Sequence, residues 1–510
     1  MARFGFVGAS YQSQSLNADA QRLQNWYLEN DESGSGASAA TLYPRPGLEL
    51  FCTLPDSPVR AEFAFNGRFF VVAGSTLFEV KSDGTFTNLG ALADDGNPAQ
   101  MAANVNEVLV VSGGSAYFLT LATNVLVQLD TTSGNVIQGP VSQCGGADGY
   151  LIVLLADSQR IQISALEDAS TWSTLGVPNL DQVNEFPDLV LGMLVDHRQL
   201  WLFGEKATLP YYDSGSANIF DPVPGGYQEQ GIIAPWSPAK MDNSVFWLGG
   251  SDRGNGIAWK AQGYQPTRIS NHAVEAAWAS YSTMADAVGF AYEDQGHTFW
   301  CLRFPTANKT WVFDAATGMW HERSSWNPKQ GKEQAFLAGY HTFIFAKHLV
   351  GDWSSGNIYQ MAIPSINPAT GEWQFVTDNG AQVNRVRRAP HITTEKQWAF
   401  HSQLQVNIEA GVGPQPPLKD GNGNPRAPQL MLRWSDDGGH RWSDMLACGF
   451  GQAGETNARA IWRRLGKSRD RIYEVSCSDP VPARIVDAYL EANPGFAPQD
   501  SLYAQIRKVT

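Results

Sequence analysis

The stretch from Asn66 to Gly90, NGRFFVVAGSTLFEVKSDGTFTNLG, decides the fold. It reads as a turn, an apolar strand, a Gly hinge, a second strand, a Ser82-Asp83-Gly84 turn and a third strand. The same pattern recurs as NEVLVVSGGSAYFL from Asn106, DGYLIVLLADSQRIQI from Asp148 and DHRQLWLFGEKATLPYY from Asp196. It returns as DNSVFWLGGSDRGNGIAW from Asp242, DQGHTFWCLRF from Asp294 and YHTFIFAKHLVGDWSSGNIYQM from Tyr340. Starts about 40–50 residues apart have the period of propeller blades. Each unit couples a nearly continuous apolar strand to a more amphipathic one that ends near an aromatic: Phe78, Phe118, Tyr212, Trp259 or Tyr359. A lone blade cannot bury its own faces, whereas six or seven set radially cover one another. The expected fold is all-β, a β-propeller of six or seven blades; a pair of sandwiches is the other way to pack such strands.

Composition agrees. Charged residues make up only 17% of the 510-residue chain, while Gly (49), Trp (17), Tyr (16) and Phe (25) are plentiful, a balance that favours strands and tight turns. Lys+Arg 36 against Asp+Glu 50 leaves a net charge of −14, which argues against a surface that wraps phosphates throughout. Cys52, Cys144, Cys301, Cys448 and Cys477 are scattered without a CxxC pair, as expected of free thiols in a reducing compartment. No continuous apolar segment reads as a signal peptide or membrane anchor.

The pattern divides the chain. Residues 1–60 read as an N-terminal arm in which the polar run from Asn30 to Ala40 separates a short helix from LYPRPGLELF; residues 61–380 carry the blades with insertions. Residues 381–490 read as further strands that close or extend the propeller, interrupted by a Pro/Gly-rich loop from Val412 to Pro428, and 491–510 as a tail.

No constellation of catalytic residues emerges. Ser435, Asp437, Gly439 and Trp442 fit the S-x-D-x-G-x-x-W Asp-box, a structural hairpin turn in which the Ser and Asp side chains satisfy backbone amides. Gly34, Gly36 and Ala39 spell GxGxxA, but in a Ser/Gly coil with no strand before it, which is a linker. The nine histidines form no HExxH, and His341 and His348 are the closest pair, so no metal or other cofactor is expected. With G-x-S-x-G absent as well, the chain is not expected to be an enzyme. The densest basic run places Arg459, Arg463, Arg464, Lys467, Arg469 and Arg471 around the single acid Asp470, and Arg385, Arg387 and Arg388 form a smaller set. In an acidic protein such a run is a solvated face, a candidate contact for an acidic partner subunit or, as the lesser alternative, a contact with DNA.

The ends of the chain carry a resemblance. Asp19-Ala20-Gln21-Arg22, Asn25-Trp26-Tyr27 and LYPRPGLELF resemble the opening, and LRWSDDGG with RRLGKSRDRIYEVSCSDP the close, of the packaged-DNA stabilisation family, the tail-hub or nozzle proteins of short-tailed bacteriophages. The resemblance implies a structural virion protein made in the bacterial cytoplasm, with six blades favoured, assembled as a homo-oligomeric ring, a hexamer. Its implied partners are a portal adaptor, a tail needle or plug, and tailspikes or fibres. The ring would extend the DNA exit channel, help retain packaged DNA and let it pass without sequence-specific binding. A carbohydrate-binding or carbohydrate-cleaving propeller is the alternative that the tryptophans keep in view.

Overall fold

The repeated turns are the first hairpins of the blades. In the computed structural model, which describes residues 2–494 apart from 37, 130–136, 173–179, 183–187, 216–218, 251–255, 394 and 415, both central residues of these turns have positive φ at Asn66-Gly67, Asp148-Gly149, Asp242-Asn243 and Gln295-Gly296. Two-residue hairpins need that geometry, and Asn, Asp and Gly adopt it at least cost. The last unit makes its turn at Phe345-Ala346 instead, so the start read at Tyr340 lies inside its innermost strand.

The innermost strands are Val59–Phe65, Gln100–Ala103, Val141–Ala147, Val190–Asp196, Ala239–Met241, Val288–Asp294 and Ala338–Ile344. Each pairs antiparallel with a second strand whose side chains are almost all buried, such as Arg68–Ala73, Glu107–Ser112 or Tyr150–Leu155. That explains the continuous apolar runs: these strands have a neighbouring blade on both faces. Six units are self-contained four-stranded sheets. The unit with innermost strand Val288–Asp294 sits in the ring between Ala239–Met241 and Ala338–Ile344, but its outer strand Met319–Asn327 runs on into a twelve-stranded sheet shared with the C-terminal module. The ring is closed by the N-terminal part of the chain, where Gly47–Thr53 pairs with Asn357–Ala362 as the outer strand of the last blade. Gly47 is required there, because a Cβ would lie 2.2 Å from the carbonyl oxygen of Phe375.

Two sheets facing each other form the second module. One contains Trp26–Asn30, Ala40–Pro44, Ile485–Pro494, Ala399–Ile408 and Ala460–Arg463; the other contains Ala20–Gln24, Arg385–Arg388, Asp470–Cys477, Gln429–Ser435 and Leu446–Gly449. Their shared core includes Phe6, Leu23, Trp26, Leu42, Leu404, Tyr473, Val475 and Ile485.

This corrects the N-terminal reading. No short helix precedes Asn30: strands Ala20–Gln24 and Trp26–Asn30 are separated at Asn25, whose φ of 57° turns the chain, and Trp26 is fully buried with its indole N–H donating to Ala483 O at 2.7 Å. The segment read as an arm is woven into both modules. Among the described residues the one α-helix is His272–Ala279, capped by the Asn271 side chain. The Pro/Gly-rich loop carries a small hairpin, Leu418–Lys419 with Pro425–Arg426, and residues 495–510 of the expected tail lie outside the described residues.

Candidate partner interface on the sandwich and the propeller funnel

The basic residues separate into two classes once strand register is known. Arg471 lies on the central strand Asp470–Cys477 and is 2% exposed; its Nε and Nη2 reach Asp436 at 2.6 and 2.7 Å, and Nη1 donates to Leu465 O. It therefore holds a hairpin in place and is not open to a partner. Arg385, Arg387 and Arg388 are buried and not a solvated face, because their strand lies inside its sheet between Ala20–Gln24 and Asp470–Cys477. Arg387 donates to Phe6 O, Ala9 O and Gln21 Oε1, and its burial pulls its pKa down to about 9. Arg388 and Arg433 both reach Glu474 and stack on the Trp442 ring at 4.7 and 4.8 Å. That tryptophan ends the Asp-box. Ser435 Oγ accepts the Gly439 amide at 2.8 Å, Asp437 Oδ1 accepts the amides of His440 and Arg441, and the Trp442 indole donates to Gly439 O. Those bonds hold the Asp437 carboxyl below its ordinary pKa.

Arg459, Arg463, Arg464, Lys467 and Arg469 are exposed. Among the described residues Ala460–Arg463 and Lys467–Ser468 ladder only with Ala399–Ile408, so they form an edge of the first sheet, and Leu446–Gly449 packs against it where the Trp462 indole donates to Leu446 O. Lys467 and Arg469 both sit over the Trp398 ring, at 4.8 and 5.0 Å, and Phe400 beside them is 49% exposed. Charged side chains on such an edge discourage pairing with like edges.

Sequence reading missed the junction between the modules. Arg45 is 1% exposed and uses all its donors: Nε to Asn25 Oδ1, Nη1 to Pro46 O and Asp378 Oδ1, Nη2 to Ser324 O and Asp378 Oδ2 at 2.6 Å. The available signal was a single cation between two prolines in an otherwise apolar segment, YPRPG. His297 bridges nearby, with Nδ1 2.8 Å from Asp314 and Nε2 2.5 Å from Glu29. Burial opposes its charge, but the two carboxylates outweigh burial and lift its pKa to about 9.

On one face of the propeller the starts of the innermost strands surround a funnel of about 820 Å³, lined by Arg60, Trp236, Asp286, Arg303, Tyr340 and Trp353 among others. Among the described residues no group of three or more His, Cys, Asp or Glu could hold a metal ion; His341 and His348 instead contact each other at 3.0 Å. The five cysteines are free.

Comparison with known proteins completes the picture. The family model described as bacteriophage P22 Gp10, beta-propeller, matches residues 11–364, and the one described as bacteriophage P22 Gp10, beta-sandwich, matches residues 384–493. The chain belongs to the bacteriophage P22 Gp10 family. It is thus a structural protein of the phage tail, and the resemblance seen at the ends of the sequence extends over both modules of this Gp10-family chain. No curated protein matches the sequence. Among solved structures, it is similar to the N-terminal domain of Nup159 (12% identity, 67% of this chain and 99% of that one, TM-score 0.38). It is also similar to the WD40 propeller domain of Doa1 (12%, 62% and 96%, TM-score 0.37). A third is the extracellular domain of the one-component system BT4673 from B. thetaiotaomicron (8%, 79% and 47%, TM-score 0.42). Among the described residues no helix is long and apolar enough to cross a membrane.

Proposed function

We propose that the chain is the tail hub or nozzle subunit of a short-tailed phage, acting without enzymatic chemistry. The match of a propeller and a sandwich model in succession along one chain carries this reading. In this role the subunit forms a homo-oligomeric ring, a hexamer, below the portal adaptor. The ring extends the DNA exit channel, helps retain packaged DNA, and anchors a needle or plug together with spikes or fibres. A net charge of −14 per subunit supports passage of DNA without adhesion, since carboxylates do not displace the counterions of the duplex as a basic wall would. The exposed row Arg459, Arg463, Arg464, Lys467 and Arg469 is the proposed contact for an acidic neighbouring subunit or adaptor.

The test is sedimentation and negative-stain imaging of the full chain with and without its adaptor. A six-membered ring that caps the adaptor is expected; a monomer under both conditions refutes the assignment. Tight duplex binding by the isolated protein at physiological salt, or sugar release from a bacterial polysaccharide, would refute the reading of a passive channel.

A further inference from the structure

The propeller funnel contains a cation without a partner. Arg303, near the end of the strand His297–Phe304, lines the funnel and is 6% exposed; its side chain makes no hydrogen bond or ion pair among the described residues, and its Nε is sealed from solvent. Its guanidinium lies 5.0 Å over the Trp353 ring, whose indole N–H is already committed to Phe336 O. The other arginine of the funnel is different: Arg60 is held by Asp94, Asp95 and the carbonyls of Gly74 and Asn97. Two acids are near Arg303, and neither forms an ion pair with it: Asp286 Oδ2 accepts the Thr306 amide at 2.7 Å while its Oδ1 is buried without a bond, and Asp352 is taken by Ser354, Ser355 and Tyr359. Tyr340 lines the funnel beside Arg303, close enough to feel the charges of Arg303 and Arg60 and the buried Glu62 carboxyl.

A buried guanidinium normally carries a carboxylate or phosphate, because the unpaired cation loses its hydration for nothing in return. The cavity around it is much larger than a free inorganic anion and is walled by Pro58, Pro98, Pro235, Val190 and Trp236. We propose that the funnel is a binding site for a peptide segment that presents one carboxylate, flanked by apolar residues, to Arg303 and Tyr340. The carboxylate would occupy the donor fork of Arg303 and the flanking residues the proline and tryptophan walls. The site is on the propeller, away from the basic edge of the sandwich, and does not depend on the ring assignment.

The test uses the full-length chain and two blocked hexapeptides, acetyl-Leu-Pro-Asp-Leu-Pro-Leu-amide and its Asp→Asn counterpart, followed by titration calorimetry. Loss of a charge-assisted contact predicts that the Asp peptide binds at least about tenfold tighter than the Asn peptide. Arg303→Met should abolish that difference while leaving the unfolding midpoint of the free protein unchanged or higher, since it removes an uncompensated charge. Arg303→Lys, which keeps the charge but not the fork, should retain part of the preference. Equal binding of the two peptides, or none at millimolar concentration, overturns the proposal. So does inorganic phosphate or acetate binding as tightly as the Asp peptide, which would make the funnel a free-anion cup. A marked drop in stability for Arg303→Met would show that the arginine is already paired, and would overturn it as well.

Discussion

Replacing Asp378 by Ala should be among the most damaging single changes in the chain. Asp378 is 2% exposed and accepts both arms of Arg45, at 2.9 and 2.6 Å, as well as the Ser325 hydroxyl at 2.6 Å. Without it the Arg45 guanidinium stays buried against Phe336 with no counter-charge. Breaking a buried pair in this way costs about 3–5 kcal/mol, or roughly 150- to several-thousandfold in the folding equilibrium. Arg45→Met should cost a similar amount by stranding the carboxylate. The double substitution, which strands neither charge, should cost less than the sum of the two, with a coupling of about 1–3 kcal/mol. Urea unfolding followed by tryptophan fluorescence and by circular dichroism supplies the four corners of the cycle. Because Arg45 also ties Asn25, Pro46 and Ser324 together, the single variants should separate the two spectroscopic transitions as the modules lose their connection. Single substitutions that cost less than about 1 kcal/mol, or that add without coupling, would refute the reasoning.

Three further outcomes are expected. The folded-state pKa of His297 is raised to about 9 from an ordinary 6.5, so the stability it contributes is fully present below pH 6.5 and is lost as pH rises through 9; unfolding midpoints between pH 6 and 10 should show that decline in the native chain and a flatter profile in His297→Gln. Arg463→Glu with Arg464→Glu should leave the unfolding midpoint within about 0.5 kcal/mol of the native value while weakening ring or tail assembly, whereas Arg471→Ala should destabilise the subunit by about 1–3 kcal/mol; normal assembly by the double variant would remove the edge from consideration. A fragment of residues 384–494 should not unfold cooperatively by itself, and adding residues 1–46 as a separate chain should restore a sharp transition measured by circular dichroism.

The propeller was legible because its signal is local. Asn66-Gly67 and Asp148-Gly149 are short-range turn codes, and the apolar runs after them follow from burial on both faces of a single strand. The Asp-box was legible for the same reason, since all its hydrogen bonds fall within Ser435 to Trp442. The sandwich was not, because its partners are distant in sequence: Trp26 bonds to Ala483, and Arg387 to Phe6. The basic run misled at Arg471 because Asp470–Cys477 is a central strand whose residues from Arg471 to Val475 are all buried, a placement that charge spacing alone does not reveal. Arg385, Arg387 and Arg388 are inside for another reason. The N-terminal strand that pairs beside Arg387 and Arg388 lies more than 360 residues away, and nothing near them in sequence announces it. Arg303 was invisible in principle, because what distinguishes it is a missing partner, and that is a property of the assembled funnel.

The chain path has a mechanical consequence. It begins in the sandwich at Ala20–Pro44, enters the propeller by supplying the closing strand Gly47–Thr53, completes the ring, and returns to the sandwich at Arg385. Neither module is therefore complete on one stretch of sequence. The N-terminal segment contributes Phe6, Leu23, Trp26, Leu28 and Leu42 to the sandwich core, each 5% exposed or less. At about 1.5–3 kcal/mol per large buried side chain these residues supply roughly 7–15 kcal/mol, as much as the net stability of a typical domain. Pulling the N-terminal segment away would thus open the last blade and empty the sandwich core in one event. A force on either module is resisted by both, since the segment that staples the ring also fills the other core and is pinned between them by Arg45 and Asp378. Strain applied at the sandwich therefore reaches the ring closure through hydrogen-bonded strands and a buried ion pair.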